Sequence, residues 1–199
     1  AVPLLYLLGK EIFSVPKAAL WSSSILLTLL PTARLGRLTM LDGVINTCLL
    51  WSLFCLLRGR KNPHRLGGIG IGLGLIALAK GLLVLALGLL LGILILWLGE
   101  GRIFRRWQFW LGLLVGFAPV LWWYQLQFAQ YGETFWQIHF EFHSFERVTQ
   151  ELEGNTGPPW YYLLEIAKYT APWLFFLIPA LVITVKQWRQ DLAKVAITF

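Results

Sequence analysis

Residues 66–98 form an apolar run of 33 positions in which the single charge is Lys80. At 1.5 Å per residue one straight helix of that length would reach about 50 Å, against a hydrocarbon layer of about 30 Å. The run must therefore break. Lys80-Gly81 is the place where a charge that membranes penalise meets a residue that weakens helices. Two segments follow, 66–79 and 82–98. The first is short for a crossing, and its glycines from Gly67 to Gly74 suit close helix packing or a thinned stretch of bilayer.

The same pattern recurs along the chain. Apolar stretches at 18–33, 43–57, 107–127 and 169–185 each approach the roughly 20 residues that a membrane-crossing helix needs. Residues 1–8 read as the tail of a helix begun upstream, and 194–199 as the approach to another, so the chain reads as an excerpt of something longer, part of one transmembrane domain. Hydrophobic residues make up 57% and charged residues 14%, where a soluble domain carries about 25% charged. With 11 Trp, 13 Phe and 6 Tyr besides the leucines, apolar surface exceeds what one small core could bury. An ordinary soluble domain, a disordered chain and a nucleic-acid-binding module are excluded. The net charge of +7 does not rescue the last, because the cations sit in short clusters between apolar stretches. The fold class is an all-α polytopic membrane protein. Cys48 and Cys55, seven residues apart in an apolar run, read as small residues facing lipid or bundle rather than as a disulfide or metal pair.

Charge placement predicts sidedness. Arg58, Arg60, Lys61 and Arg65 fill one loop, Arg102, Arg105 and Arg106 a second, and Lys186, Arg189 and Lys194 a third. Counting spans puts all three on one side, which the positive-inside rule makes cytoplasmic. The other side receives residues 34–42, the Lys80 break and a loop spanning 128–168. Six of the ten acidic residues lie in that loop: Glu133, Glu141, Glu146, Glu151, Glu153 and Glu165. An integral, multi-pass inner-membrane protein with an acidic outer loop is the expected arrangement.

Basic cytoplasmic clusters need no role beyond orientation and contact with membrane lipids. The charges that orientation does not explain are those on the outer side. Lys80 is costly among apolar neighbours unless it snorkels at a hairpin turn, pairs, or grips an anion such as a phosphate. Arg34, Arg37 and Asp42 interrupt two spans. Read plainly they are a polar loop in which the arginines pair with Asp42; read functionally they hold a carboxylate near the membrane plane for a polar substrate. His139, His143 and Arg147 stand at i, i+4 and i+8 amid Trp136, Phe140, Phe142 and Phe145, the pattern of an amphipathic helix lying on the membrane surface. Two histidines one turn apart raise a divalent metal ion as the one cofactor to consider, but two ligands do not make a site without a carboxylate from elsewhere. Gly157-Pro158-Pro159-Trp160-Tyr161-Tyr162 and Pro172-Trp173 stop helices and put aromatic residues at the interface, which anchoring alone would account for.

Taken in order, four strings resemble the membrane-embedded glycosyltransferases of the GT-C superfamily. The resemblance is to the protein O-mannosyltransferase and lipid A aminoarabinose transferase type, the glycosyltransferase-39-like group. They are Ala33-Arg34 with Asp42 opening a span; Gly74 to Gly81 with Lys80; Phe135-Trp136 through His143 and Arg147; and Gly157 to Tyr162 followed by Pro172-Trp173. Each is weak alone, and their order across 33–173 carries the likeness. The resemblance implies a partial GT-C-type helix bundle with an amphipathic helix in an outer-face loop. It also implies transfer of a sugar, hexose or pentose, from a polyprenyl-phosphate donor to a glycolipid, glycan or protein acceptor.

On that likeness Lys80 and Arg147 would contact the donor phosphate and Asp42 would support acceptor positioning. His143, more than His139, would lie near a divalent metal. Arg34, Arg37, Tyr161 and Tyr162 are candidates for positioning either substrate. The family's primary base lies in an outer loop that would precede this chain, so the excerpt is expected to be inactive alone. Leu82 stands where the family commonly has Pro after Lys-Gly, which leaves that turn less rigid. A transporter or flippase for a lipid-linked or anionic substrate is the alternative. No internal repeat relates residues 1–100 to 101–199, and the unexplained charges gather at one face, both of which weigh against it.

Overall fold

A computed structural model describes residues 1–13, 15–35, 41–136, 160–171 and 173–186. Every regular element among them is helical: α1 (Val2–Ile12), α2 (Pro16–Thr28), α3 (Leu30–Leu35), α4 (Leu41–Gly59), α5 (Gly67–Lys80), α6 (Leu83–Trp97), α7 (Trp107–Tyr131), α8 (Glu133–Trp136), α9 (Tyr161–Thr170) and α10 (Leu174–Lys186). Short 3-10 turns at Pro63–Leu66 and Gly101–Arg105 lead into α5 and α7.

Two helices are long and apolar enough to cross a membrane, Leu41–Gly59 and Trp107–Tyr131. A third crossing arises if α9 and α10 count as one span bent by 111°. By the same rise per residue α7 spans about 37 Å, whereas α5 and α6 span only about 21 and 22 Å. The long apolar run thus becomes two sub-length helices. The break lies at Lys80: α5 ends there, and Gly81 follows at φ 49°, a backbone region that favours glycine. Residues 18–33 form two helices rather than one. Leu29 is extended, and Pro31 occupies the first turn of α3, where its missing N–H costs nothing. α7 keeps Pro119 in its interior and runs through Gln125, Gln127 and Gln130 to stop at Gly132, φ 56°.

α5 sits between α4 and α7, with two small-residue faces. On one, a Cβ at Gly70 would lie 2.1 Å from the Leu113 nitrogen, and one at Gly74 would lie 2.0 Å from the Gly116 oxygen. On the other, a Cβ at Gly72 would meet Ser52 Oγ at 2.2 Å and one at Gly68 would meet Cys55 Sγ at 2.4 Å. Backbones approach this closely only where side chains are missing, the packing mode that membranes favour because hydrocarbon supplies no hydrophobic drive between helices. Ser52 donates to the Cys48 carbonyl at 2.9 Å and to Ile69 across the helix pair at 3.5 Å. Cys48 and Cys55 are buried free thiols in this seam.

Gly67 meets Gly112 and Gly74 meets Gly116, so α5 and α7 run parallel and touch directly, and α6, which follows α5 in the chain, packs on α5 as well. Leu56, Ile69, Ile76, Leu91, Leu94 and Ile95 are sealed inside. Leu85, Leu89, Leu114, Leu121, Trp122 and Phe175 are exposed, as expected of residues that face lipid rather than water.

Candidate functional site

The antiparallel course of α4 and α5 brings the start of one beside the end of the other. Asp42 lies in the first turn of α4 and Lys80 is the last residue of α5. Lys80 Nζ donates to Asp42 Oδ1 at 2.5 Å. Each charge also suits its own helix end, a carboxylate at the positive N-terminal pole and an ammonium at the negative C-terminal pole. About half of each side chain remains exposed, 49% for Lys80 and 51% for Asp42. Gly43 beside Asp42 has open space where a side chain would be. Among the described residues both charges are therefore open at the end of the bundle.

The surrounding elements gather at the same end. α3 packs on α4, and α9 packs on α3, which brings the helix of Tyr161 toward that of Asp42. Trp173 Nε1 donates to Thr28 Oγ1 at 3.0 Å, fixing the lead into α10 against the end of α2. Because α7 runs parallel to α5, its last turns lie at the Lys80 end too. There Trp123, Tyr124 and Phe135 pack edge to face with centroids 5.1 to 5.9 Å apart. That cluster folds α8 back on α7, at the root of the segment that carries His139, His143 and Arg147.

Of the residues singled out by sequence, Asp42 and Lys80 are brought together and Tyr161 sits exposed at the start of α9. Arg34 belongs to α3 and Tyr162 to α9, with their side chains outside the described residues. Arg37, His139, His143 and Arg147 lie wholly outside them. Among the described residues no group of three His, Cys, Asp or Glu could hold a metal.

Among the described residues the partner of Asp42 is Lys80; the pairing with Arg34 and Arg37 that a local reading offers lies outside them. The available signal was positional: an acid opening one helix and a base closing the next, on helices that must run antiparallel. Sequence reading also passed over Glu11. It closes α1 at the opposite end, accepts from Arg58 Nε at 2.6 Å, and lies 3.7 Å from Lys61 Nζ. Arg60 pairs with Glu100 at 2.8 Å across the same end.

Fold and site together define an all-α membrane protein with an exposed acid-base pair at one end of its helix bundle. The chain is 26% identical, over 98% of its length, to the undecaprenyl phosphate-alpha-4-amino-4-deoxy-L-arabinose arabinosyl transferase of Shewanella sediminis. It covers 36% of that relative, about a third of its length. No family model and no solved structure matches. The similarity is distant, and it supports a relationship to transferases of lipid-linked sugars in general.

Proposed function

We propose that the chain is part of an inverting glycosyltransferase that takes a sugar from a polyprenyl-phosphate donor and passes it to an acceptor hydroxyl or phosphate at the outer face of the inner membrane. The observation that carries this reading is the Lys80–Asp42 pair, 2.5 Å apart and half open at the end of a broken apolar helix. The whole-chain similarity to an arabinosyl transferase named for its undecaprenyl-phosphate-linked sugar supports it.

The chemistry follows from the charge that develops. As the anomeric carbon leaves its phosphate oxygen, negative charge grows on the polyprenyl phosphate. A preorganised cation at the dry membrane boundary stabilises that charge more than water would. Lys80 supplies a point charge that can turn from Asp42 toward a phosphate oxygen. Arg147 would supply a planar fork from another element. Asp42 holds the ammonium in place before the donor arrives and supports the acceptor. The acceptor hydroxyl also needs a base to take its proton as the new bond forms.

The test is an assay of the complete protein with a radiolabelled polyprenyl-phosphate sugar and candidate acceptors, comparing wild type with Lys80→Ala and Arg147→Ala. Loss of transfer with normal membrane insertion supports the reading. Full turnover in both variants overturns it. Movement of the intact donor across vesicles without sugar release would mark a transporter instead.

A further inference from the structure

The end of the bundle remote from Lys80 carries a second feature. A groove of about 200 Å³ opens between the 3-10 turn Pro63–Leu66, α5 and the start of α7. His64 and Gln108 line it at the basic end. Gly67 and Gly112 line it where the two helices touch, and Ile71 and Val115 lie further along the same helices. Gln108 Oε1 is buried and accepts no hydrogen bond from the described residues. Gln108 also lines the groove, so its amide group offers a donor or an acceptor to a ligand there.

The charges around this end are unevenly spent. Arg58 and Lys61 share Glu11, and Arg60 has Glu100. Arg65, Arg102, Arg105 and Arg106 are exposed and form no ion pair among the described residues. Arg106 is also the N-cap of the 25-residue α7 and makes no side-chain cap, so first-turn N–H groups add to the positive field.

We infer that this groove holds one anionic glycerophospholipid with free headgroup hydroxyls, of the phosphatidylglycerol type, taken from the leaflet that the basic end meets. Its phosphate faces the arginines and the first turn of α7. Its glycerol headgroup meets the Gln108 amide. One acyl chain lies along Ile71 and Val115. The apolar continuation of the groove selects a lipid over a soluble anion, which would leave that surface uncovered. The inference is independent of the enzymatic reading.

Native mass spectrometry of the full-length protein in neutral detergent tests it, with phosphatidylglycerol, phosphatidylcholine or inorganic phosphate added. One phosphatidylglycerol should persist at collision energies that strip phosphatidylcholine, and inorganic phosphate should not displace it. Arg106→Gln should weaken retention about fivefold, the loss expected for one cation near a headgroup. Gln108→Leu should weaken it too, and Val115→Trp, which fills the groove, should abolish it. Leu89→Ala on the exposed face of α6 should change nothing. Equal retention of the two lipids, displacement by phosphate, or undiminished retention in a folded Val115→Trp would overturn the inference. If Val115→Trp does not fold, unchanged retention in both Gln108→Leu and Arg106→Gln overturns it equally.

Discussion

Lys80 Nζ and Asp42 Oδ1 are 2.5 Å apart although 38 positions separate them in the chain. Half-exposed pairs of this kind add roughly 0–1 kcal/mol to stability. Lys80→Ala and Asp42→Asn should therefore leave the melting temperature in detergent nearly unchanged. Sugar transfer by the complete enzyme should nonetheless fall on the order of 100-fold or more in Lys80→Ala, the scale of losing a preorganised charge at a developing anion. Lys80→Arg keeps the charge and should retain part of the rate. Initial rates with a labelled polyprenyl-phosphate sugar, read beside thermal melts, separate a chemical role from a structural one. A large drop in melting temperature with an unchanged rate per folded molecule would assign the pair to helix packing.

The glycine faces of α5 predict a contrast within one protein. A Cβ at Gly74 would sit 2.0 Å from the Gly116 backbone oxygen, and one at Gly112 would sit 2.1 Å from the Gly67 oxygen. Neither backbone can yield without moving a whole helix. Gly74→Val and Gly112→Val should each destabilise by roughly 3 kcal/mol, at the upper end of ordinary overpacking. Gly88 and Gly92 on α6 have nothing within 4 Å. Gly88→Ala and Gly92→Ala should be neutral or stabilise by up to about 1 kcal/mol, since Ala is the better helix former. Thermal melting in one detergent, with yield of monodisperse protein, compares the four.

At the basic end, Glu11 is only 11% exposed and serves two cations, Arg58 and Lys61. Glu100 is 28% exposed and serves Arg60. Removing a charge-assisted hydrogen bond from a more enclosed partner costs more, about 1.5 kcal/mol or above. Glu11→Gln should lower the melting temperature clearly, and Glu100→Gln much less. Equal shifts would show that the α1–α4 contact does not depend on this carboxylate.

What was legible in the sequence tracks the range of the forces involved. The break at Lys80-Gly81 follows from length and local propensity, so a residue string suffices to place it. The tightness of residues 67–74 was legible from glycine spacing. Its assignment to two different neighbours was not, because that requires knowing which helices flank α5. The Asp42–Lys80 contact is long-range, joining residues 38 positions apart, so no local pattern announces it. α7 outruns the expected 127 because its glutamines are good enough helix formers to continue to Gly132. The bend between α9 and α10 involves tertiary contacts such as Trp173 on Thr28, which no periodicity in 169–185 announces.

Sidedness is the property on which the proposed outer-face chemistry rests, and the bundle supplies the means to test it. Lys10, Lys17, Arg58, Arg60, Lys61, Arg65, Arg102, Arg105 and Arg106 gather at the Glu11 end. Asp42, Lys80, Glu133, Glu165 and Lys168 lie at the other. The positive-inside rule predicts that the first end is retained in the cytoplasm. With Cys48 and Cys55 replaced by Ser, single cysteines at Lys61, which is 80% exposed, and at Gln130, near the exposed end of α7, probe the two sides. A membrane-impermeant maleimide added to intact spheroplasts should label Gln130→Cys at once and Lys61→Cys only after permeabilisation. Changing Arg102, Arg105 and Arg106 together to Gln should leave part of the population inverted, with both sites partly labelled. Labelling of Lys61→Cys alone in intact cells would place Lys80 and Asp42 inside, where an outer-face acceptor could not reach them.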